Sequence, residues 1–172
     1  VEWTGPVRRD GPARDGEADA VIAHPEFGLL VLEFKAGEPS VDGAGHWHLG
    51  PIELKQSPFD QARTSKHFLR ANLVDLPDLP RGLEPLAGHA VDFPDVVIDS
   101  LPLGHSRFVL CVDARTDIVL DGHALVTLDG VLGWLEHFFE YWLGYGACRY
   151  APLGPKGVEL VFELLRPTVS IH

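Results

Sequence analysis

Residues 16–35 read GEADAVIAHPEFGLLVLEFK, and the fold turns on how this stretch pairs with itself. Two short apolar runs, residues 19–24 and 29–35, flank Pro25, Glu26, Phe27 and Gly28, a pattern that predicts a β-hairpin. Side chains alternate along a strand, so Glu33 and Lys35 share a face with Leu29 and Val31, while Leu30, Leu32 and Phe34 share the other. A run that is apolar on both faces belongs inside a covered sheet. There an ionised group is costly unless it is paired or holds a metal. A carboxylate and an ammonium at the end of such a strand therefore mark a candidate site. Glu17 and Asp19 add two carboxylates where the first strand begins. Carboxylate oxygens suit a hard cation, and Mg²⁺ commonly takes one or two of them while keeping several waters.

Register decides whether these groups can meet. A four-residue loop, Pro25 to Gly28, pairs His24 with Leu29 and sets Asp19 opposite Phe34, on the wrong face for Glu33. A shared site needs a three- or five-residue loop, or a β-bulge that shifts the pairing by one. We expect such a shift.

Further along, Ser57-Pro58-Phe59 opens a helix carrying Gln61. Four short elements occur in a telling order: Gly16-Glu17-Ala18-Asp19, Leu32-Glu33-Phe34-Lys35, Pro58-Phe59-Asp60-Gln61-Ala62 and His89-Ala90-Val91-Asp92-Phe93-Pro94. Glu-x-Lys alone arises often by chance, but the ordered set resembles the nuclease-related domain (NERD) family of the PD-(D/E)xK nuclease superfamily. The resemblance spans most of the chain. It implies an α/β, restriction-endonuclease-like core, a central mixed β-sheet flanked by helices, with residues 1–172 forming one domain. It also implies that Asp19 and Glu33 bind Mg²⁺ or Mn²⁺ together with the backbone carbonyl of Phe34, that Lys35 activates or positions the attacking water, and that Gln61 assists. Glu17 is a secondary candidate. Family members carry a preceding helix, which is expected to be missing here; with no Met anywhere, the chain is expected to be processed, trimmed or a fragment. Residues 164–172 resemble the connector into a superfamily I helicase-like ATPase, an expected partner in cis or in trans. No P-loop occurs within the chain.

A chain of 172 residues suits a single domain. A domain of this size buries ~70% of its unfolded surface without needing disulfides. Cys111 and Cys148 are too few for a disulfide framework or a four-thiolate zinc site, which fits a cytoplasmic protein. The formal net charge of −11 argues against a free-standing DNA binder, because phosphate-backbone affinity comes mainly from Lys and Arg. DNA delivered by a partner is compatible with that charge. The apolar residues 131–145 are interrupted by Glu136, His137 and Glu140, so no membrane span is expected.

Elsewhere the pattern is mostly structural. Trp3 belongs to a short strand before a solvated loop, and Trp47-His48-Leu49 and Ile52-Glu53-Leu54 form short strands around Gly50-Pro51. His46 and His48 can face one side like a metal pair. No third ligand stands at a recognisable spacing, so surface histidines are the preferred reading. Residues 57–73 give the clearest helix, with Ser57 as cap, Pro58 at the first position and Asp60 in the first turn. Phe59, Ala62, Leu69 and Leu73 face a core, and Gln61, Ser65, Phe68 and Asn72 form a neighbouring stripe. Arg63, Lys66, His67 and Arg70 make this helix locally basic, as nucleic-acid contacts or as a solvated face in equal balance.

The density of Pro, Gly and Asp over residues 77–94 predicts a long loop ending at His89-Ala90-Val91. Residues 96–98 read as a strand or a surface run, and residues 108–112 and 118–120 as packing strands, with Asp113 and Asp117 as loop acids. A second helix covers residues 131–145, capped by Thr127 or Asp129, with Val131, Trp134, Leu135, Phe138, Trp142 and Tyr145 as its apolar stripe. Residues 158–165 fit a final strand or a short helix. Two functions follow. The first is a Mg²⁺-dependent DNA phosphodiesterase in DNA processing, repair or defence. The second is a non-cleaving DNA-binding or docking module in which Glu33 and Lys35 form a structural salt bridge. The intact Asp, Glu, Lys and Gln set favours the nuclease.

Overall fold

The computed structural model describes residues 2–4, 15–79, 84–96, 118–122, 126–145 and 150–165. The strand expected at residues 108–112, the acids Asp113 and Asp117, both cysteines and residues 166–172 of the exit segment lie outside the described residues. In chain order the described elements are β1 (Glu2–Thr4), β2 (Asp15–Glu17), β3 (Ala20–His24), β4 (Gly28–Phe34), β5 (Pro39–Val41), β6 (Trp47–Leu49), β7 (Ile52–Glu53), α1 (Pro58–Val74), β8 (Ala87–Phe93), β9 (Val119–Asp121), α2 (Leu128–Gly144) and α3 (Gly154–Leu165). The main sheet has the order β3-β4-β8-β9, with β3 antiparallel to β4 and the other two pairings parallel. This is a mixed sheet flanked by helices in an α/β chain. The β5–β7 meander forms a separate small sheet, and β1 pairs with β2.

β4 is the strand that the two layers share. Every residue from Gly28 to Glu33 is buried, and only Phe34, 40% exposed, emerges at the end. Its alternate side chains feed two cores. Leu29 and Val31 pack with Leu69 and Leu73 of α1 and with Leu160 and Val161 of α3. Leu30 and Leu32 pack with Phe138, Phe139 and Trp142 of α2. Each leucine so covered contributes about 1.5–3 kcal/mol relative to exposure, so the double coverage fixes which face each residue takes.

The hairpin loop is three residues long, because His24 pairs with Gly28 rather than with Leu29. Two local devices hold it. The backbone N–H groups of Glu26 and Phe27 donate to His24 Nδ1 at 3.2 and 3.3 Å, and the His24 ring stacks on Phe27 at 4.5 Å. Gly28 then leaves the turn with φ +104°, and the Leu29 N–H donates to the Leu86 carbonyl at 2.8 Å. A side chain at Gly28 would meet Leu86 O at 2.4 Å.

The second half of the sequence departs most from expectation. The region taken as a loop up to His89 contains β8, which begins at Ala87 and lies between β4 and β9. Its residues 88–93 are all buried. Burial against α1, α2 and β4 overrides the weak local propensity of Gly88 and His89. Gly88 is required by close approach, since a Cβ there would stand 2.3 Å from Trp142 Cδ1. The final ambiguous segment is the helix α3. α1 and α2 follow their sequence signals closely: Ser57 Oγ accepts from the Asp60 N–H at 3.2 Å, and Thr127 Oγ1 accepts from the Gly130 N–H at 3.0 Å.

Gly28→Ala adds a methyl group against a backbone carbonyl at a positive φ. It should lower unfolding free energy by about 3 kcal/mol in urea titration, and an unchanged midpoint would show that the turn does not constrain the register.

Candidate active site at the carboxyl end of β4

The three-residue loop has a direct consequence for the carboxylates. Pairing runs Ala20 with Leu32, and one further step sets Asp19 level with Glu33. The Asp19 side chain folds onto β4 there, with Oδ2 accepting the Phe34 N–H at 2.7 Å. Asp19 is exposed, whereas Glu33 is 1% exposed. Glu33 Oε1 is ion-paired with Lys35 Nζ, and the Lys35 side chain retains 17% of its exposure. Burial raises the Glu33 pKa above the usual carboxylate range; Lys35 opposes that rise, and the charges of Asp19 and Glu17 add to it. The Lys35 backbone N–H donates to the Asp92 carbonyl at 2.9 Å, so the β4–β8 ladder anchors the end of the strand.

α1 reaches the same place from one flank. At 3.6 residues per turn, Ala62, Leu69 and Leu73 point at the sheet, with Gln61 and Ser65 on one side of that line and Arg63, Lys66, His67 and Arg70 on the other. The Ser65 hydroxyl donates to the Glu17 carbonyl, which identifies the Gln61 side as the one beside the carboxylates. Gln61 is half-buried in the first turn. The basic residues lie on the opposite flank, where Lys66, Arg63 and His67 act on His89 of β8. Asp19, Glu33 and Lys35 are thus brought together with Glu17 nearby, while the four basic residues stand apart from them.

One acidic group had no role assigned from sequence. Asp92 is 2% exposed, and its Oδ1 is buried without a hydrogen-bond partner. Burial first, then the charges of Asp121 and Asp95, push its pKa up to about 6. In register with Phe34, it points to the face opposite Glu33. Asp95 Oδ2 accepts the Gly37 N–H at 2.6 Å. A buried Asp within the apolar run Ala90-Val91-Asp92-Phe93 is the signal that could have singled it out.

The histidines of the small sheet meet an acid. His46 Nδ1 and His48 Nε2 each lie 3.4 Å from Asp42 Oδ2, and His46 Nδ1 lies 3.8 Å from Glu53 Oε1. Asp42 Oδ1 meanwhile accepts the N–H groups of Ala44 and His46 at 2.9 Å, closing the turn. Among the described residues no group of three or more His, Cys, Asp or Glu is disposed to hold a metal ion, and no helix is long and apolar enough to cross a membrane.

The chain matches no model of a known protein family, no curated protein and no solved structure.

Folded Asp92 holds its proton up to about 6, against an ordinary aspartate value of 3.8, so its contribution is present below the unfolded value and lost as pH rises through the folded one. Wild type should therefore lose up to about 3 kcal/mol relative to Asp92→Asn between pH ~4 and ~6.5, read by urea unfolding across that range. Parallel stability curves for the two proteins would show that Asp92 is ionised without cost.

Proposed function

We propose that this chain is a Mg²⁺- or Mn²⁺-dependent nuclease domain of restriction-endonuclease-like type that hydrolyses DNA phosphodiester bonds. The observation that carries the reading is the register. A three-residue loop sets Asp19 level with Glu33, itself ion-paired with Lys35, at the carboxyl ends of two parallel strands. In open α/β sheets that edge is where ligands commonly bind.

The residues fit a hard cation by donor chemistry. Asp19 and Glu33 are oxygen ligands, and the Phe34 carbonyl and water would complete the shell, as Mg²⁺ sites with one or two carboxylates do. Burial and the neighbouring carboxylates raise the Glu33 pKa, and a second cation beside Lys35 relieves both effects. A cation held by Asp19 and Glu33 would supply Lewis-acid polarisation of a phosphoryl oxygen and a lowered pKa for a bound water. Lys35 orients that water and offsets charge on the phosphorane-like transition state. Gln61, on the carboxylate flank of α1, steadies Lys35 or the phosphate. Glu17 stands at the rim and tunes Glu33 through its charge. With a net charge of −11, the DNA is best delivered by a helicase-like ATPase, in cis or in trans.

The Glu33–Lys35 ion pair favours a second reading, a non-cleaving DNA-binding or docking module with the same fold. Buried pairs of this kind persist as structural features when each partner neutralises the other.

Plasmid cleavage with Mg²⁺ or Mn²⁺ separates the two. Wild type should cut, and Lys35→Ala should cut at least ~100-fold more slowly, the scale of losing one transition-state donor. Equal rates would remove Lys35 from the mechanism. A wild type that cuts neither DNA nor RNA and whose melting temperature does not rise with Mn²⁺ would favour the second reading.

A further inference from the structure

The basic flank of α1 faces solvent at Arg63 and His67 and turns inward at buried Lys66. It forms one wall of a cavity of about 590 Å³, whose other walls come from β8 and α2 and include His89, Tyr141, Trp142 and Tyr145. The volume lies within the ~300–1,000 Å³ typical of small-molecule sites. β9 pairs only with Val91, Asp92 and Phe93 of β8, so the first half of β8 has no described strand on that side, and α1 and α2 meet across the gap.

Charge is concentrated in this cavity against the sign of the whole chain. Arg63 is ion-paired with Asp60, and Arg70 with Glu84. Lys66 differs. It is 8% exposed, and among the described residues no carboxylate pairs with it; its ammonium sits 5.0 Å from the centre of the Trp142 ring. Burial, with Arg70 and Arg63 adding repulsion, lowers its pKa to about 8. Neighbouring His89 is held neutral, its pKa lowered to about 3 by burial and then by Lys66, Arg63 and His67, and its Nδ1 is buried without a partner. A buried ammonium among like charges and without a counter-ion is stabilised by an anion.

The opposite wall is aromatic. Tyr141 and Tyr145 stack at 5.6 Å, Trp142 meets Tyr145 edge-on at 5.2 Å, and Tyr145 is 58% exposed. Such a platform suits a planar ring, and base–aromatic stacking contributes ~1–3 kcal/mol per base.

We propose that this cavity binds a nucleotide, with the phosphate on Lys66, Arg63 and Arg70 and the base against the α2 aromatics. The site is separate from Glu33 and Lys35, since it occupies the other flank of α1. A single nucleotide fits better than a polymer track. The local cations act on one phosphate, whereas a long polyanion also meets the repulsion of a chain carrying −11. The nucleotide is either free or the terminal unit of a strand, and the experiment distinguishes the two.

Binding is measured by tryptophan fluorescence and calorimetry in EDTA, which suppresses metal-dependent cleavage and so keeps this test apart from the plasmid assay. The probes are AMP, GMP, CMP and UMP, inorganic phosphate, adenosine, and a 5′-phosphorylated hexanucleotide. Nucleoside monophosphates should bind saturably and at least ~10-fold more tightly than phosphate or adenosine, since either half alone lacks a contact worth about 1.4 kcal/mol. Lys66→Gln should weaken that binding at least ~10-fold with an unchanged far-ultraviolet spectrum. Should that variant misfold, Tyr145→Ala, at an exposed position, must give a comparable loss. A hexanucleotide equal in affinity to the monophosphate supports a strand-end site, and a weaker one supports a free nucleotide. No saturable binding at millimolar concentration, phosphate as tight as the nucleotide, or a hexanucleotide that binds where no monophosphate does would each overturn the proposal.

Discussion

Glu33 gives up almost all of its contact with water when β4 is covered on both faces, and the arrangement around it answers that cost. An isolated carboxylate in such a place would take up a proton. Lys35 keeps it compensated, and Lys35 can do so only because its backbone is anchored to Asp92 while its side chain retains a path to solvent. The same covering that makes the charge costly makes it well placed. A rigid strand packed against α1, α3 and α2 holds the head group with little freedom. Position is thus a by-product of burial, and the geometry of this edge depends on how firmly the pair is held together.

That dependence reaches back to the hairpin loop. His24 Nδ1 accepts two loop N–H groups, so its neutral form with the proton on Nε2 is the one that fits the turn. The turn sets the register, and the register sets which carboxylate lies across from Glu33. A one-residue slip would carry Asp19 to the other face. The geometry of the candidate site is therefore decided some distance from it, by a histidine and a glycine that touch none of its groups.

Much of this was legible in the sequence, and the exceptions have physical causes. The hairpin, the Ser57-capped helix and the Thr127-capped helix announce themselves by short-range signals, and the required register shift followed from asking which face each carboxylate must share. The loop length did not follow, because Gly28 reads equally well as the last loop residue or the first strand residue. β8 was hidden because Gly88 and His89 are poor local strand formers that become strand through contact with Trp142 and α1. α3 was ambiguous because Val158, Leu160 and Val161 serve a helix or a strand equally well. The helix stripes of α1 were legible, yet the aromatic wall facing the basic one comes from α2, some seventy residues later, and only tertiary packing brings them together.

The short reach of β9 has one more consequence. A strand flank left open offers unpaired carbonyls to any passing chain, a common route to intermolecular β-pairing. Here the Trp142 indole N–H donates to the His89 carbonyl at 3.1 Å, and the ring lies across the flank at Gly88. Among the described residues, one indole thus caps a main-chain carbonyl of that flank and shields the backbone beside it, much as a neighbouring strand would.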